Sequence, residues 1–80
     1  MLSGTVIQAR VTFKLRAAPS QDSEQIGRVN LGDMLPVVGR TRGGVWFQVV
    51  YKGTTGWIGA FGDDWIKVFE GSLNDVPYVG

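Results

Sequence analysis

Few side chains in this sequence could carry chemistry. Among its 80 residues there is no histidine and no cysteine, and the seven acids are Asp22, Glu24, Asp33, the adjacent Asp63 and Asp64, Glu70 and Asp75. Without Cys there is no disulfide, thiolate zinc site, iron–sulfur cluster or cysteine nucleophile; without His the usual base near neutral pH is missing. Asp63 and Asp64 invite comparison with a hydrolase carboxylate pair or a calcium loop. Adjacent positions lack the every-second-residue ligand spacing of such a loop, and no Glu follows at the distance that would complete it. Gly53-Thr-Thr-Gly56 and Gly59-Ala-Phe-Gly62 lack the following helix that a phosphate loop needs. No metal, cofactor or catalytic residue is expected.

What remains is binding chemistry. Trp46, Trp57 and Trp65 each offer a large flat apolar face with one N–H donor. Asp22, Glu24, Asp63 and Asp64 sit in loop-like stretches. There they either pair with an amine or a Lys/Arg of a ligand or serve as solvated loop acids making local hydrogen bonds. Arg10, Lys14 and Arg16 alternate with apolar residues and form a basic stripe without interleaved aromatics. Such a stripe suits solubility better than nucleic-acid binding, so no nucleic-acid partner is expected. Net charge is +1, with seven bases and three acids in residues 1–60 and one base and four acids in residues 61–80.

These residues have to be positioned by strands. From Ile7 to Leu15 every odd position is apolar (Ile7, Ala9, Val11, Phe13, Leu15), a period of two that predicts one half-buried strand. Arg16 to Glu24 reads as an exposed loop, 25–29 as a short strand carrying Ile26, and Asn30-Leu-Gly-Asp33 as a turn. Pro36 gives residues 34–39 the character of an edge or a bulge. Arg42-Gly-Gly44 and Lys52-Gly-Thr54 read as turns around the strand 45–51, followed by strands at 55–58 and 65–69. Parity predicts Phe13, Leu15, Ile26, Phe47, Val49 and Ile58 in the core, with Ile66 and Val68 inward, and leaves all three tryptophans off the core face. They either line a groove or pack against the Arg16–Glu24 loop and the ends of the fold. A chain of this length buries only about 60% of its unfolded surface, so any site is a surface groove rather than a deep cavity. The start, Met1 to Gln8, has neither a basic segment nor an apolar run of roughly 7–15 residues. No stretch reaches ~18 apolar residues, so neither a signal peptide nor a membrane span is expected within this segment.

Three stretches together resemble the bacterial SH3 domain family: Phe13-Lys-Leu-Arg-Ala-Ala-Pro-Ser20, Ile26-Gly-Arg-Val-Asn-Leu-Gly-Asp33, and Trp46-Phe-Gln-Val49 with Tyr51-Lys-Gly-Thr-Thr-Gly-Trp-Ile58. The resemblance spans residues 5–69. Lys14 stands where the family usually has Asn, Ala18 where Gly is common, and Trp65 where Tyr is usual. Phe61 to Asp64 makes the segment before Trp65 three residues longer than the pattern. The acidic loop and Tyr-rich motif of polyproline-reading SH3 domains are not evident.

The resemblance implies an all-β, five- to six-stranded SH3-like barrel over residues 5–69. Residues 70–80 then form a tail, either a linker or docked through Leu73, Val76, Tyr78 and Val79. It further implies a non-catalytic, monomeric targeting module of a larger protein of the cell envelope, one that recognises peptidoglycan or its peptides. The positions of Trp46 and Trp65 flank the family's ligand groove, with Trp57 nearby. The rival expectation is a module that binds a protein, a peptide or another domain of its own chain without a cell-wall ligand.

Overall fold

The computed structural model describes residues 5–43, 45–62 and 64–79. They form strands β1 (Thr5–Ala9), β2 (Phe13–Arg16), β3 (Gln25–Val29), β4 (Met34–Arg40), β5 (Trp46–Tyr51), β6 (Thr54–Gly59) and β7 (Ile66–Glu70). A 3-10 turn, Leu73–Asp75, comes after β7. All strand pairings are antiparallel, in one sheet of order β3-β2-β6-β5-β4-β1-β7. No helix among the described residues is long and apolar enough to cross a membrane.

That order forces the sheet to curl. Three strands lie between β1 and β2, so in a flat sheet they would stand about 19 Å apart, four steps of ~4.8 Å. The link from Ala9 to Phe13 spans four residue steps and reaches at most ~14 Å. The chain can make the crossing only if the sheet wraps round to bring its two halves together, as an SH3-like barrel does. Residues 10–12 are the corner. Arg10 N–H donates to the Trp65 carbonyl at 2.8 Å, and the Gly32 and Ala9 amides donate to the Ala9 and Asp33 carbonyls at 2.7 and 2.9 Å.

The single strand expected from Ile7 to Leu15 is therefore two strands, which raises the six strands read from the sequence to seven. Odd-position burial continues straight through the corner, with Val11 half-buried against the core, so alternation alone could not reveal the break. Ile7, Leu15, Val29, Leu35, Val49 and Ile58 are fully buried, joined by Phe13, Phe47, Val37 and Ala9. Ile26, expected inside, is instead 40% exposed. The regular pairs Phe13↔Val29 and Leu15↔Gly27 put Val29 and Gly27 on the inner side, and Ile26 falls at the register shift between Leu15 and Arg16, where it has no partner on β2. Val68 is likewise outside: β7 is an edge strand paired only with β1, and of its apolar residues Ile66 packs on the core.

Lys52 and Gly53, with φ of 51° and 81°, form the two-residue turn between β5 and β6, whose ladder closes at Tyr51↔Thr54. Both central residues at positive φ match the right-handed twist of a hairpin. Pro36 sits where β4 has not yet entered its ladder with β5, which begins at Val37 and shifts register before Gly39. β4 is an interior strand, with Pro36 paired to Val6 of β1, so of the edge or bulge expected there it is the bulge, at the shift beside the proline, that occurs.

After β7 the chain returns to the barrel. The Ser72 hydroxyl accepts the Asn74 N–H at 3.2 Å and caps the short turn, and Thr5 Oγ1 donates to the Ser72 carbonyl at 2.8 Å. Val76 enters the core cluster. Arg40 holds residues 76–79 against the barrel: its Nε donates to the Val76 carbonyl at 2.9 Å, its N–H donates to the Pro77 carbonyl, and its carbonyl accepts from Val79 N–H. The Tyr78 ring lies 4.4 Å from the Arg40 guanidinium carbon and 4.7 Å from that of Arg42, an arrangement favourable by cation–π attraction.

Candidate ligand-binding groove

The outer face of β5 carries Trp46, and the register sets it opposite Gly59 on β6. The chain leaves β6 there, with Ala60 N–H bonded to the Val45 carbonyl at 2.7 Å, and Phe61 folds back over the strand end. Trp65 is fixed by its backbone at both sides: its N–H donates to the Gly62 carbonyl at 3.2 Å and its carbonyl accepts from Arg10. The three rings form a row. Trp46 and Phe61 meet edge to face at 5.6 Å, Phe61 and Trp65 at 6.2 Å, and Trp65 also leans on buried Phe13 at 6.2 Å. Two glycines let the rings come this close. A Cβ at Gly59 would lie 2.6 Å from the Phe61 ring, and one at Gly62 would lie against the Trp65 indole.

The row forms one wall of a depression of about 430 Å³ lined by Trp46, Gly59, Phe61, Trp65, Lys14, Arg16, Gln21 and Asp22. Phe61 is 48% and Trp65 37% exposed, so apolar area is open to a ligand. The opposite wall comes from β2 and the loop after it, which is braced internally. Ala17 N–H donates to the Glu24 carbonyl at 2.9 Å, Ser23 Oγ reaches the Ala18 and Ser20 carbonyls at 2.9 and 2.7 Å, and Asp22 N–H donates to Ser20 Oγ at 3.1 Å. Arg16 Nη1 donates to the Ser23 carbonyl at 2.7 Å, tying strand and loop together.

Of the residues singled out from sequence, Trp46, Trp65 and Asp22 come together here. Trp57 is 7% exposed and stands across from Arg16 on β2 and Gln48 on β5, and it is not among the lining residues. Glu24 and Asp64 are exposed and also stand apart from the lining, while Asp63 lies outside the described residues. Phe61, Lys14, Arg16 and Gln21 join the groove although sequence reasoning does not mark them as part of it. The outward parity of Lys14 and Arg16 is visible in the alternation, but nothing local in sequence says that β2 pairs with β6 and so comes to lie one strand away from Trp46 on β5.

Bacterial SH3 domain is the family whose model matches this chain, over residues 10–63. The chain belongs to the bacterial SH3 domain family. No curated protein and no solved structure gives a match. In this bacterial SH3 domain the matched stretch holds every lining residue except Trp65, which lies two positions beyond it.

A second polar cluster lies elsewhere in the domain, joining the turn before β4 to the end of β5. Tyr51 Oη donates to Asp33 Oδ2 at 2.6 Å, and the Asn30 N–H donates to the same oxygen at 3.0 Å. These bonds hold the Asp33 carboxyl below its ordinary value, and the same bond, with burial, pushes the Tyr51 phenol up.

Proposed function

We propose that this bacterial SH3 domain is a non-catalytic targeting module that binds peptidoglycan or its peptides in the depression lined by Trp46, Phe61 and Trp65. The single observation that carries the reading is the row of edge-to-face rings beside a polar wall. Partly exposed aromatics held in fixed positions are the usual anchors of a binding surface, because they desolvate much area at little entropic cost. Among the described residues the lining has one carboxylate, Asp22, beside Lys14 and Arg16, and the chain has no His that could move protons between bond-breaking steps. Such a module works in the cell envelope, attached to the domains it directs.

The test is co-sedimentation with purified sacculi. The parent domain pellets with the wall, and Trp46→Ala and Trp65→Ala remain in the supernatant while melting close to the parent. If the domain ignores sacculi and pulls down only protein partners, the groove is a peptide module without a wall ligand, and the cell-wall assignment is wrong.

A further inference from the structure

The polarity of the groove is set by β2 and β3. Phe13 and Leu15 are buried, so Lys14 and Arg16 stand on the outer face of the strand. The β2–β3 register then places Arg28 directly opposite Lys14, both exposed. Like charges facing each other across an antiparallel pair repel and cost stability. Arg16, farther along the same face, is half-buried, and its bond to the Ser23 carbonyl uses one of five guanidinium donors while fixing the group in place. Lys14 and Arg16 line the depression against one carboxylate, Asp22, among the described residues.

Three cations on one side of an aromatic depression, two of them opposed at a cost, make sense when an anion arrives to offset them. We propose that the ligand presents a carboxylate to Lys14 and Arg16 while its apolar part lies on Trp46, Phe61 and Trp65; this rests on the groove being the ligand site. Arg28 adds to the positive potential from the neighbouring strand. Charge-assisted hydrogen bonds to a carboxylate are about twice as strong as neutral ones, and the planar guanidinium fork fits it in bidentate fashion. This reverses the polarity suggested by the loop acids alone, since among the described residues Asp22 is outnumbered in the lining and Glu24 and Asp64 are not part of it.

The experiment uses soluble stem peptides released from peptidoglycan, either with their carboxyls intact or converted to primary amides, titrated into the domain at about 0.05 M salt. The intact form binds about fivefold tighter, and the ratio falls below about two in Lys14→Gln. Because that variant loses the repulsion with Arg28, it melts at or above the parent, which separates weaker binding from unfolding. The ratio also shrinks as salt rises. Equal affinity for both forms, with the Trp46 and Trp65 resonances moving, overturns the carboxylate inference and leaves the groove standing. A preference that survives unchanged in Lys14→Gln overturns the assignment to these side chains. Binding of neither form overturns the groove reading and the inference with it.

Discussion

Gly56 and Gly59 lie on the same strand, β6, and replacing each by Ala adds one methyl group to two different surroundings. At Gly56 the new Cβ would fall 2.7 Å from Leu15 Cγ and 2.8 Å from Leu15 Cδ1, with the Arg16 carbonyl oxygen 3.1 Å away. Leu15 is 1% exposed and has nowhere to go. Overpacking of this kind costs about 1–3 kcal/mol, offset by roughly 0.5–1 kcal/mol for removing a glycine from a strand interior. The net loss of about 1–2 kcal/mol lowers Tm by roughly 5–15 °C in a domain this small. At Gly59 the Cβ would fall 2.6 Å from Phe61 Cε2 and 3.2 Å from Trp46 Cη2. Phe61 is half exposed and swings into solvent. That sacrifices the edge contact with Trp46, worth about 0.5–1.5 kcal/mol, against the same strand gain, so Tm stays within about 5 °C. What Gly59→Ala loses is the middle of the aromatic wall, seen as a changed near-UV circular dichroism band and weaker sacculus binding. Far-UV melts, near-UV spectra and sedimentation of both variants decide it. The reasoning is refuted if the two lose equal stability, or if Gly59→Ala keeps the parent's near-UV band and binding.

Three further outcomes are expected from the same packing. Val29→Ala costs about 2 kcal/mol and Ile26→Ala under about 1 kcal/mol in urea unfolding, the reverse of what their side-chain sizes suggest; equal losses would contradict the phase assigned to β3. Val76→Ala lowers stability by about 2 kcal/mol, and deleting residues 71–80 lowers it at least as far; an unchanged urea midpoint on deletion would show that the docked tail contributes nothing. Asp33 has its folded pKa depressed, so its contribution is present above its ordinary value of 3.8 and is lost as pH falls through the folded value. Tyr51 has its folded pKa raised, so its contribution is present below its ordinary value of 10.0 and is lost as pH rises through the folded value. Tyr51→Phe flattens both limbs of the stability–pH curve, measured as urea midpoints, and parallel curves for parent and variant would show that the bond is not made in solution.

Much of the core can be read from alternation, because a half-buried strand shows its inner face directly: Phe13, Leu15, Phe47, Val49 and Ile58 are all buried. Alternation misleads where burial is decided by a neighbouring strand. Ile26 is outside because its neighbours Gly27 and Val29 pair with inward Leu15 and Phe13, and Val68 is outside because β7 is an edge. Trp57 shows the limit of parity from the other side. It falls on the outer face of β6, yet it is buried there between its ladder partners Arg16 on β2 and Gln48 on β5. For the groove, Trp46 and Trp65 can be named from residue type and resemblance. Their polar counterpart cannot, since Lys14 and Arg16 are some thirty residues from Trp46 and reach it only because β2 and β5 both pair with β6.

The central claim, that the depression beside Trp46 and Trp65 takes up peptidoglycan material, is tested most directly by following the three indole N–H resonances during titration with soluble peptidoglycan fragments. The signals of Trp46 and Trp65 are expected to move together along one saturating curve, while that of Trp57, buried away from the depression, stays within a small fraction of their shift. If Trp57 moves alone, or if all three stay fixed at concentrations where the domain pellets with sacculi, the ligand binds elsewhere and the assignment of the groove is wrong.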